Sequence, residues 1–452
     1  MSQNKPDQSF WNLWNLSFGF FGVQIAYALQ SANISRIFAT IGADPHSLSY
    51  FWILPPLMGI VVQPLVGAAS DRTWIKRLGR RLPYLILGAA VAVVVMCLLP
   101  NAGSFGFTVA GAMVFGFIAL MFLDTSINMA MQPFKMLVGD QVNEKQKGLA
   151  YSIQSFLCNA GSLVGYLAPI TLTYLGISNI APAGQVPQTV TYSFYIGAVV
   201  LVLCVIYSFV FIREMPPAEY ARYHGIKPEA SDKKKKHTGM LTLLRQAPST
   251  FWTVGLVQFF CWSAFVYMWT YTNGAIADTV WGTTDTHSAA YQEAGNWVSV
   301  LFAVQAVGSV IWAVFIPSFK NHKTVYVLSL VLGGIGFISI PFITSQYVLF
   351  FSYLLIGCAW AAMLALPFTI LTNSISGENM GTYLGLFNGT ICLPQICAAA
   401  LGGLILPLLG GRQANMLLLA GILLIIGAVC VRFVRETYAE SKKTDEVLEN
   451  SL

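Results

Sequence analysis

The chain has 452 residues, of which 56% are hydrophobic and only 10% charged. Soluble domains carry roughly 25% charged residues, so this composition excludes an ordinary soluble protein and points to the bilayer as the solvent. The net charge of +6 reflects where the basic residues fall along the chain and gives no reason to expect a nucleic acid partner.

Crossing a hydrocarbon core of about 30 Å as a helix takes about twenty apolar residues. Backbone groups inside that core must be satisfied by a helix or a closed barrel. Barrel strands alternate every second residue, whereas the apolar stretches here are apolar all round, so helices are expected. In chain order, the first six are predicted near Trp11 to Phe38, Ser49 to Ala69, Tyr84 to Pro100, Thr108 to Gln132, Tyr151 to Leu172 and Tyr192 to Ile212. Six more are predicted near Phe251 to Tyr271, Asn296 to Ile316, Val325 to Phe342, Tyr347 to Leu371, Gly381 to Leu406 and Ala414 to Phe433. The short polar amino terminus and the length of the first apolar run do not fit a cleavable signal sequence, so span one is expected to stay in the protein. The eight cysteines fall inside or at the edge of spans, in no paired loop pattern, and read as packing residues rather than a disulfide framework or a zinc site.

Basic residues collect on the cytoplasmic side of membrane proteins. Of the 25 Lys and Arg, only Arg36 and Arg412 fall in loops assigned to the outside, so both termini are expected in the cytoplasm. Residues 213–250, with the run Lys233 to Lys236, form a polar linker between two sets of six spans. That run reads as a solvated linker, with anionic lipid headgroups as the competing partner. The chain therefore divides into a first half at 1–212, a linker at 213–250, a second half at 251–434 and a cytoplasmic tail at 435–452. Six spans plus six around a long cytoplasmic loop is the arrangement of the major facilitator fold, whose substrate site lies at the midplane between halves.

After span two the sequence reads Gly67-Ala-Ala-Ser70-Asp71-Arg72, then Arg77-Leu-Gly79-Arg80-Arg81-Leu-Pro83. This resembles the two-to-three loop motif of the major facilitator superfamily, in the version found in sucrose transporters and their animal and bacterial relatives. Asp71, Arg72, Arg77, Gly79, Arg80 and Arg81 are then expected to gate the inner face, through contacts that a conformational change must break. For the arginines a pure topology signal is the competing reading. Span one carries Gly22-Val-Gln24 and Ala28-Leu-Gln30, close to the sucrose-transporter-like pattern, and Gln63-Pro64 matches its second span. Span four carries Leu123-Asp124, Asn128, Met129, Pro133, Lys135 and Asp140 at the family's spacing, with Lys135 where arginine is usual. Gly385-Leu-Phe-Asn388 and Pro394-Gln395 extend the likeness into span eleven. Span seven departs from it: Met268-Trp269-Thr-Tyr271-Thr272 replaces the aspartate-containing segment of the plant carriers and is similar to bacterial relatives that resemble maltose carriers. The resemblance implies an all-α membrane protein of twelve transmembrane helices and a proton-coupled symporter importing a disaccharide, maltose before sucrose, in a bacterial inner membrane.

Of nineteen Asp and Glu, only Asp124 lies well inside a predicted span. Low dielectric disfavours the charged form of a carboxylate, which suits it to binding and releasing a proton. Asp124 is therefore the expected proton-coupling residue, with a carboxylate merely held by hydrogen bonds as the alternative. Asn128, one turn away on the same face, is placed to bond both the carboxylate and a sugar hydroxyl. Lys135 lies about 16 Å further along the helix and is not expected to pair with Asp124.

Sugars need amides for their hydroxyls and aromatic rings for their CH faces. Gln24, Tyr27, Gln30, Asn159, Gln258, Trp262, Trp269, Gln305, Trp360 and Asn388 join Asn128 as candidate sugar ligands, with helix packing or interhelical bonding as the competing reading. Absence of an acid inside span two favours a proton over sodium. No cofactor and no metal site is expected, and the chain reads as a monomer.

Three rivals remain at this point. A proton-driven exporter or a uniporter shares the architecture, since fold sets neither direction nor substrate. A membrane enzyme would need a catalytic constellation, but His46, His224, His237, His287 and His322 are all expected in loops. A sugar sensor would need a signalling domain that is not apparent. Asn33-Ile-Ser35 and Asn388-Gly-Thr390 match a glycosylation pattern but lie at or near membrane depth.

Overall fold

The computed structural model describes residues 5–143, 145–223, 245, 247–319, 321–374 and 386–434. Most of the 213–250 linker, with Lys233 to Lys236, His224 and His237, lies outside the described residues, as do Gly385 and the tail at 435–452. The described residues are helical, with one isolated bridge between Ile75 and Gly79.

The first set is α1 Phe10–Ile41, α2 Leu48–Arg72, α3 Leu82–Leu98, α4 Val109–Gln141, α5 Lys147–Tyr174 and α6 Gln188–Phe211. A short helix, Pro217–Tyr223, follows. The second set is α7 Ser249–Trp281, α8 Ala289–Phe315, α9 His322–Ser339, α10 Leu349–Ser374, α11 Gly389–Leu408 and α12 Gln413–Cys430. Among the described residues, eleven of these are long and apolar enough to cross a membrane, and α1 is not among them. Its Gln, Asn and Ser residues make it less apolar, yet every residue from Ala28 to Ile41 is buried. The described residues therefore hold twelve long helices, and the second half of the first is covered by its neighbours.

Several helices outrun the expected spans. α4 continues through Pro133 to Gln141, nine residues past the expected end, because a proline inside a helix at membrane depth is tolerated where neighbours satisfy the freed carbonyl. Lys135 thus belongs to the helix. α7 runs on to Trp281 and stops where Gly282 adopts a left-handed φ of 63° that other residues resist. α2 is broken by a turn at Trp52 and Ile53. Pro55 and Pro56 follow in the first turn of the segment Leu54–Arg72, where a missing N–H costs nothing. Two expectations need correcting here. Arg36 is a buried residue inside α1, not a loop residue, and His322 is the first residue of α9.

The chain forms two compact units. One comprises Met1–Ala43, Leu57–Lys236 and Asp285–Ala303; the other comprises Asp44–Pro56, His237–Thr284 and Val304–Leu452. In the first unit, α1 packs on α4, α5 and α6, and α3 packs on α4 and α6. In the second, α7 packs on α10, α11 and α12, and α9 packs on α10 and α12. The same pairing therefore recurs six spans later. The units do not follow the expected halves throughout: the start of α2 belongs with the second unit and the start of α8 with the first.

Small residues let these helices approach. A Cβ on Gly161 of α5 would lie 2.4 Å from the Phe21 carbonyl of α1, and one on Gly165 would lie 2.8 Å from the Ala28 Cβ. This Gly-x-x-x-Gly stripe brings α5 against α1 at the turns that carry the polar residues. Gly161→Val is expected to lower the unfolding temperature of the detergent-extracted protein, at a cost of about 1–3 kcal/mol for overpacking. Gly148→Val, at a position with open space around it, serves as the control and should leave the melting curve unchanged.

Candidate functional site

Gln24, Tyr27, Gln30 and Ser31 recur on one face of α1 at helical spacing. They meet Asp124 of α4 and Cys158 and Tyr166 of α5 within the first unit. Asp124 is buried, with 3% of its surface exposed. Its Oδ1 accepts from Gln30 Nε2 at 2.5 Å, and its Oδ2 has no hydrogen-bond partner among the described residues. The Tyr27 hydroxyl lies within electrostatic reach of Asp124, Tyr166 and Cys158. Gln24 Nε2 donates to Cys158 Sγ at 2.5 Å, and Ser31 Oγ lies 3.3 Å from Tyr166 OH. The carboxylate thus sits among neutral donors and acceptors, with no ion pair to it among the described residues.

Asn128 does not bond the Asp124 carboxylate, contrary to expectation. Its Nδ2 folds back on the main-chain carbonyl of Asp124 at 2.9 Å, the usual i to i−4 alternative for a short amide in a helix. Its Oδ1 accepts from Gln63 of α2 at 2.7 Å. Asn159 follows Cys158 on α5 but bonds back to the Ser155 carbonyl at 2.8 Å and is not bonded into the cluster. Lys135 is on α4; its side chain lies outside what is described.

In the second unit the structure brings the aromatic candidates together. Trp262, Phe265 and Trp269 share a face of α7, and all three rings meet Trp360 of α10, with centroids 5.7, 4.9 and 5.9 Å away. Trp52, in the break of α2, stacks on Trp269 at 5.6 Å and 20°. The indole N–H of Trp262 is buried without a partner among the described residues. Gln258, fully buried, donates to the Met363 carbonyl at 3.2 Å, and its Oε1 has no partner among the described residues. Gln305 is buried on α8, and Asn388 stands at the start of α11 with its Nδ2 3.8 Å from Cys392 Sγ; among the described residues no hydrogen bond joins either to the aromatic group. Sequence reasoning passed over Trp52, which the turn in α2 presents to Trp269 of α7, and Asn273 of α7, whose two amide atoms are both buried without a partner among the described residues. Asn273 was detectable as a mid-helix amide; the predicted end of span seven at Tyr271 hid it.

The loop expected to gate the inner face is built around one arginine. Arg81 is buried, its Nη2 2.7 Å from Asp71 Oδ1 and 3.0 Å from Asp140 Oδ2, its Nε 3.0 Å from the same Asp140 oxygen, and its Nη1 bonded to Ser70 Oγ. Burial works against the charge on Arg81, but Asp140 and Asp71 outweigh it and hold the guanidinium more firmly protonated than usual. Glu214, after α6, accepts from the main-chain N–H groups of Arg80, Arg81 and Leu82 at 2.8–3.0 Å. This places a carboxylate at the N-terminus of α3, where the helix dipole favours it. Burial raises the Glu214 carboxyl above its ordinary range, and those three N–H groups oppose the shift. Gly79, at a φ of 76°, leaves room for Glu214, since a Cβ there would lie 2.5 Å from Glu214 Cδ. Arg80 lies 3.7 Å over the Tyr220 ring. Arg72 and Arg77 are exposed and have no side-chain partner among the described residues, so they do not join the cluster.

Residues 16–279 and 266–450 match the Major Facilitator Superfamily. The chain is 27% identical over 275 residues to the general alpha-glucoside permease of Schizosaccharomyces pombe, covering 58% of this chain and 48% of that protein. It is 28% identical over 228 residues to the membrane-associated transporter protein of Homo sapiens, covering 47% and 40%. Over 212 residues it is 24% identical to the sucrose transport protein SUT1 of Oryza sativa subsp. japonica, covering 43% and 39%. The chain thus spans less than half the length of each of these relatives. Among solved structures, a D-xylose-proton symporter superposes with a TM-score of 0.66 at 16% identity, covering 94% of this chain and 96% of that one. The nucleoside transporter NupG does so with 0.64 at 14%, covering 94% and 98%. At such identities these two likenesses establish the fold alone.

Removing one partner of a buried ion pair costs about 3–5 kcal/mol, because the remaining charge is stranded. Arg81→Gln is accordingly expected to lower the unfolding temperature clearly, and adding Asp140→Asn should recover part of the loss. Equal melting curves for wild type and Arg81→Gln would remove the cluster's structural role.

Proposed function

The chain belongs to the major facilitator superfamily and is an integral membrane protein, and within that family we propose a proton-coupled symporter that imports a disaccharide by alternating access, maltose favoured and sucrose next. The observation that carries this reading is the burial of Asp124 with one amide donor and a second oxygen left without a partner among the described residues. A carboxylate held this way at membrane depth is costly when charged and easily accommodated when protonated, which is the behaviour a proton carrier needs. Inside α2 the one acid is Asp71, at the C-terminal end and engaged by Arg81, which supports a proton over a sodium ion as the coupling species. One proton moving through about 100 mV supplies roughly 2.3 kcal/mol, enough for about fifty-fold accumulation of a neutral sugar.

The sugar reading rests on side-chain chemistry and on the alpha-glucoside and sucrose relatives. The first unit offers Gln24, Tyr27 and Gln30 beside the carboxylate; the second offers Trp262, Trp269 and Trp360 with Gln258. In this reading both termini are cytoplasmic, the membrane of a bacterium would be the inner one, and Arg81 with Asp71 and Asp140 belongs to the inner gate. The halves at 1–212 and 251–434 are joined by the linker at 213–250.

Purified protein in liposomes under an inward proton gradient should accumulate labelled maltose, and sucrose less strongly. Asp124→Asn should abolish accumulation while preserving exchange of sugar across the membrane. Accumulation that survives this substitution would sink the coupling role, and no uptake of either sugar would point to an exporter or a carrier of another solute. In the same vesicles Trp360→Leu should raise the KM for sugar roughly tenfold, the loss expected for a stacking aromatic, with kcat changing less. An unchanged KM would assign that ring to packing.

A further inference from the structure

Arg36 lies near the end of α1 with 1% of its surface exposed. Its Nε donates to Gln292 Oε1 at 2.9 Å and its Nη1 to Asn296 Oδ1 at 2.8 Å. Its Nη2 donates to Asn179 Oδ1 at 2.9 Å and to the Gln292 carbonyl at 2.8 Å. Gln292 and Asn296 are on the first turns of α8, in the segment Asp285–Ala303 that belongs to the first unit. No acid pairs with Arg36 among the described residues, and Asp285 and Glu293 on that segment are exposed.

The acceptors are held with their oxygens towards the guanidinium by second bonds. Gln292 Nε2 donates to Thr40 Oγ1 and to the Thr286 carbonyl, at 3.0 and 2.9 Å. Asn296 Nδ2 donates to Thr173 Oγ1 at 2.7 Å. A Cβ on Gly295 would lie 2.4–2.7 Å from Nε, Cδ and Cζ of Arg36, so the guanidinium rests directly on the α8 backbone. α8 therefore presents a built receptor for a cation, made of neutral groups.

We propose that Arg36 is a positioning residue of the transport cycle, a clasp that fastens the first half of α8 to α1 on the outer side and is released by hydration of its charge. A buried cation held by a fully buried carboxylate would be locked in place by the ion that its departure strands. Amides hold it through charge-assisted bonds that water can replace, so parting of α8 from α1 returns the guanidinium to water and leaves no stranded acid behind. The amides decide whether the clasp stays shut. This inference rests on the alternating-access reading above, but its test needs no substrate, so its failure would leave the sugar and proton assignments standing.

Ser299 of α8 is fully buried, and Ser299→Cys supplies a reporter that reacts only when α8 comes away. Cells carrying it are treated from outside with a membrane-impermeant maleimide, and the same chain without it gives the background from native cysteines. Gly295→Ala, which displaces the guanidinium, and Asn296→Leu, which strands the cation, should each speed labelling roughly tenfold, the equilibrium factor for one charge-assisted hydrogen bond. Adding Arg36→Met to Asn296→Leu should reverse the increase, because the stranded charge is gone; a merely structural contact would loosen further. Unchanged labelling in Gly295→Ala and Asn296→Leu overturns the proposal, as does a further rise with Arg36→Met. Should Asn296→Leu not extract as a single species, Gly295→Ala with and without Arg36→Met decides the matter by the same comparison.

Discussion

Hydrogen bonds to Gln24, Gln30, Asn33 and Arg36 must come from protein, because α1 carries these residues through a depth where lipid offers none. That requirement accounts for the packing of the first unit. α5 and α6 meet α1 through Gly161, Gly165, Gly197 and the Cys204 region facing Gly22, so that polar turns of α1 are covered by helices rather than hydrocarbon. Cys158, Asp124 and Leu29 then supply partners for Gln24, Gln30 and Asn33. The helix that is least suited to lipid becomes the one around which its unit is assembled.

Three buried ionisable side chains of that unit are handled in three ways. Arg81, at the end of the spans, is compensated by two carboxylates, one of them half exposed. Arg36 is compensated by carboxamides and a main-chain carbonyl. Asp124 has one carboxamide. In the roles proposed above, Arg81 with its carboxylates suits an inner gate, Arg36 a contact exchangeable with water, and Asp124 a site that changes protonation.

The two units repeat one pattern of helix pairing with different side chains on it. α1 and α7 occupy the same place in the pattern, yet one carries amides and a tyrosine against a carboxylate and the other carries indoles against Trp360. Such repetition is expected of a fold whose function lives in side chains placed on a duplicated scaffold. Departures from the repeat are informative too: the start of α2 brings Trp52 to the second unit, and the start of α8 brings Gln292 and Asn296 to the first.

Much of the architecture is dictated by the sequence alone. Apolar runs of about twenty residues have one low-energy fate in a bilayer, so helix number and order were legible before any contact was known, as was the isolation of Asp124 among the acids. Helix ends were less legible, because α4 and α7 continue past the expected ends through Pro133 and Gly274, residues of low helix propensity that tertiary packing overrides. What tertiary structure alone decided is the pairing of polar groups. Asn128 turned to its own helix backbone, Arg72 and Arg77 stayed in solvent while Arg81 was buried, Arg36 moved from an assumed loop to a buried receptor, and Trp52 found Trp269. Each of these depends on which helix lies opposite, and local sequence carries the period of a helix but not the identity of the neighbour that its face will meet.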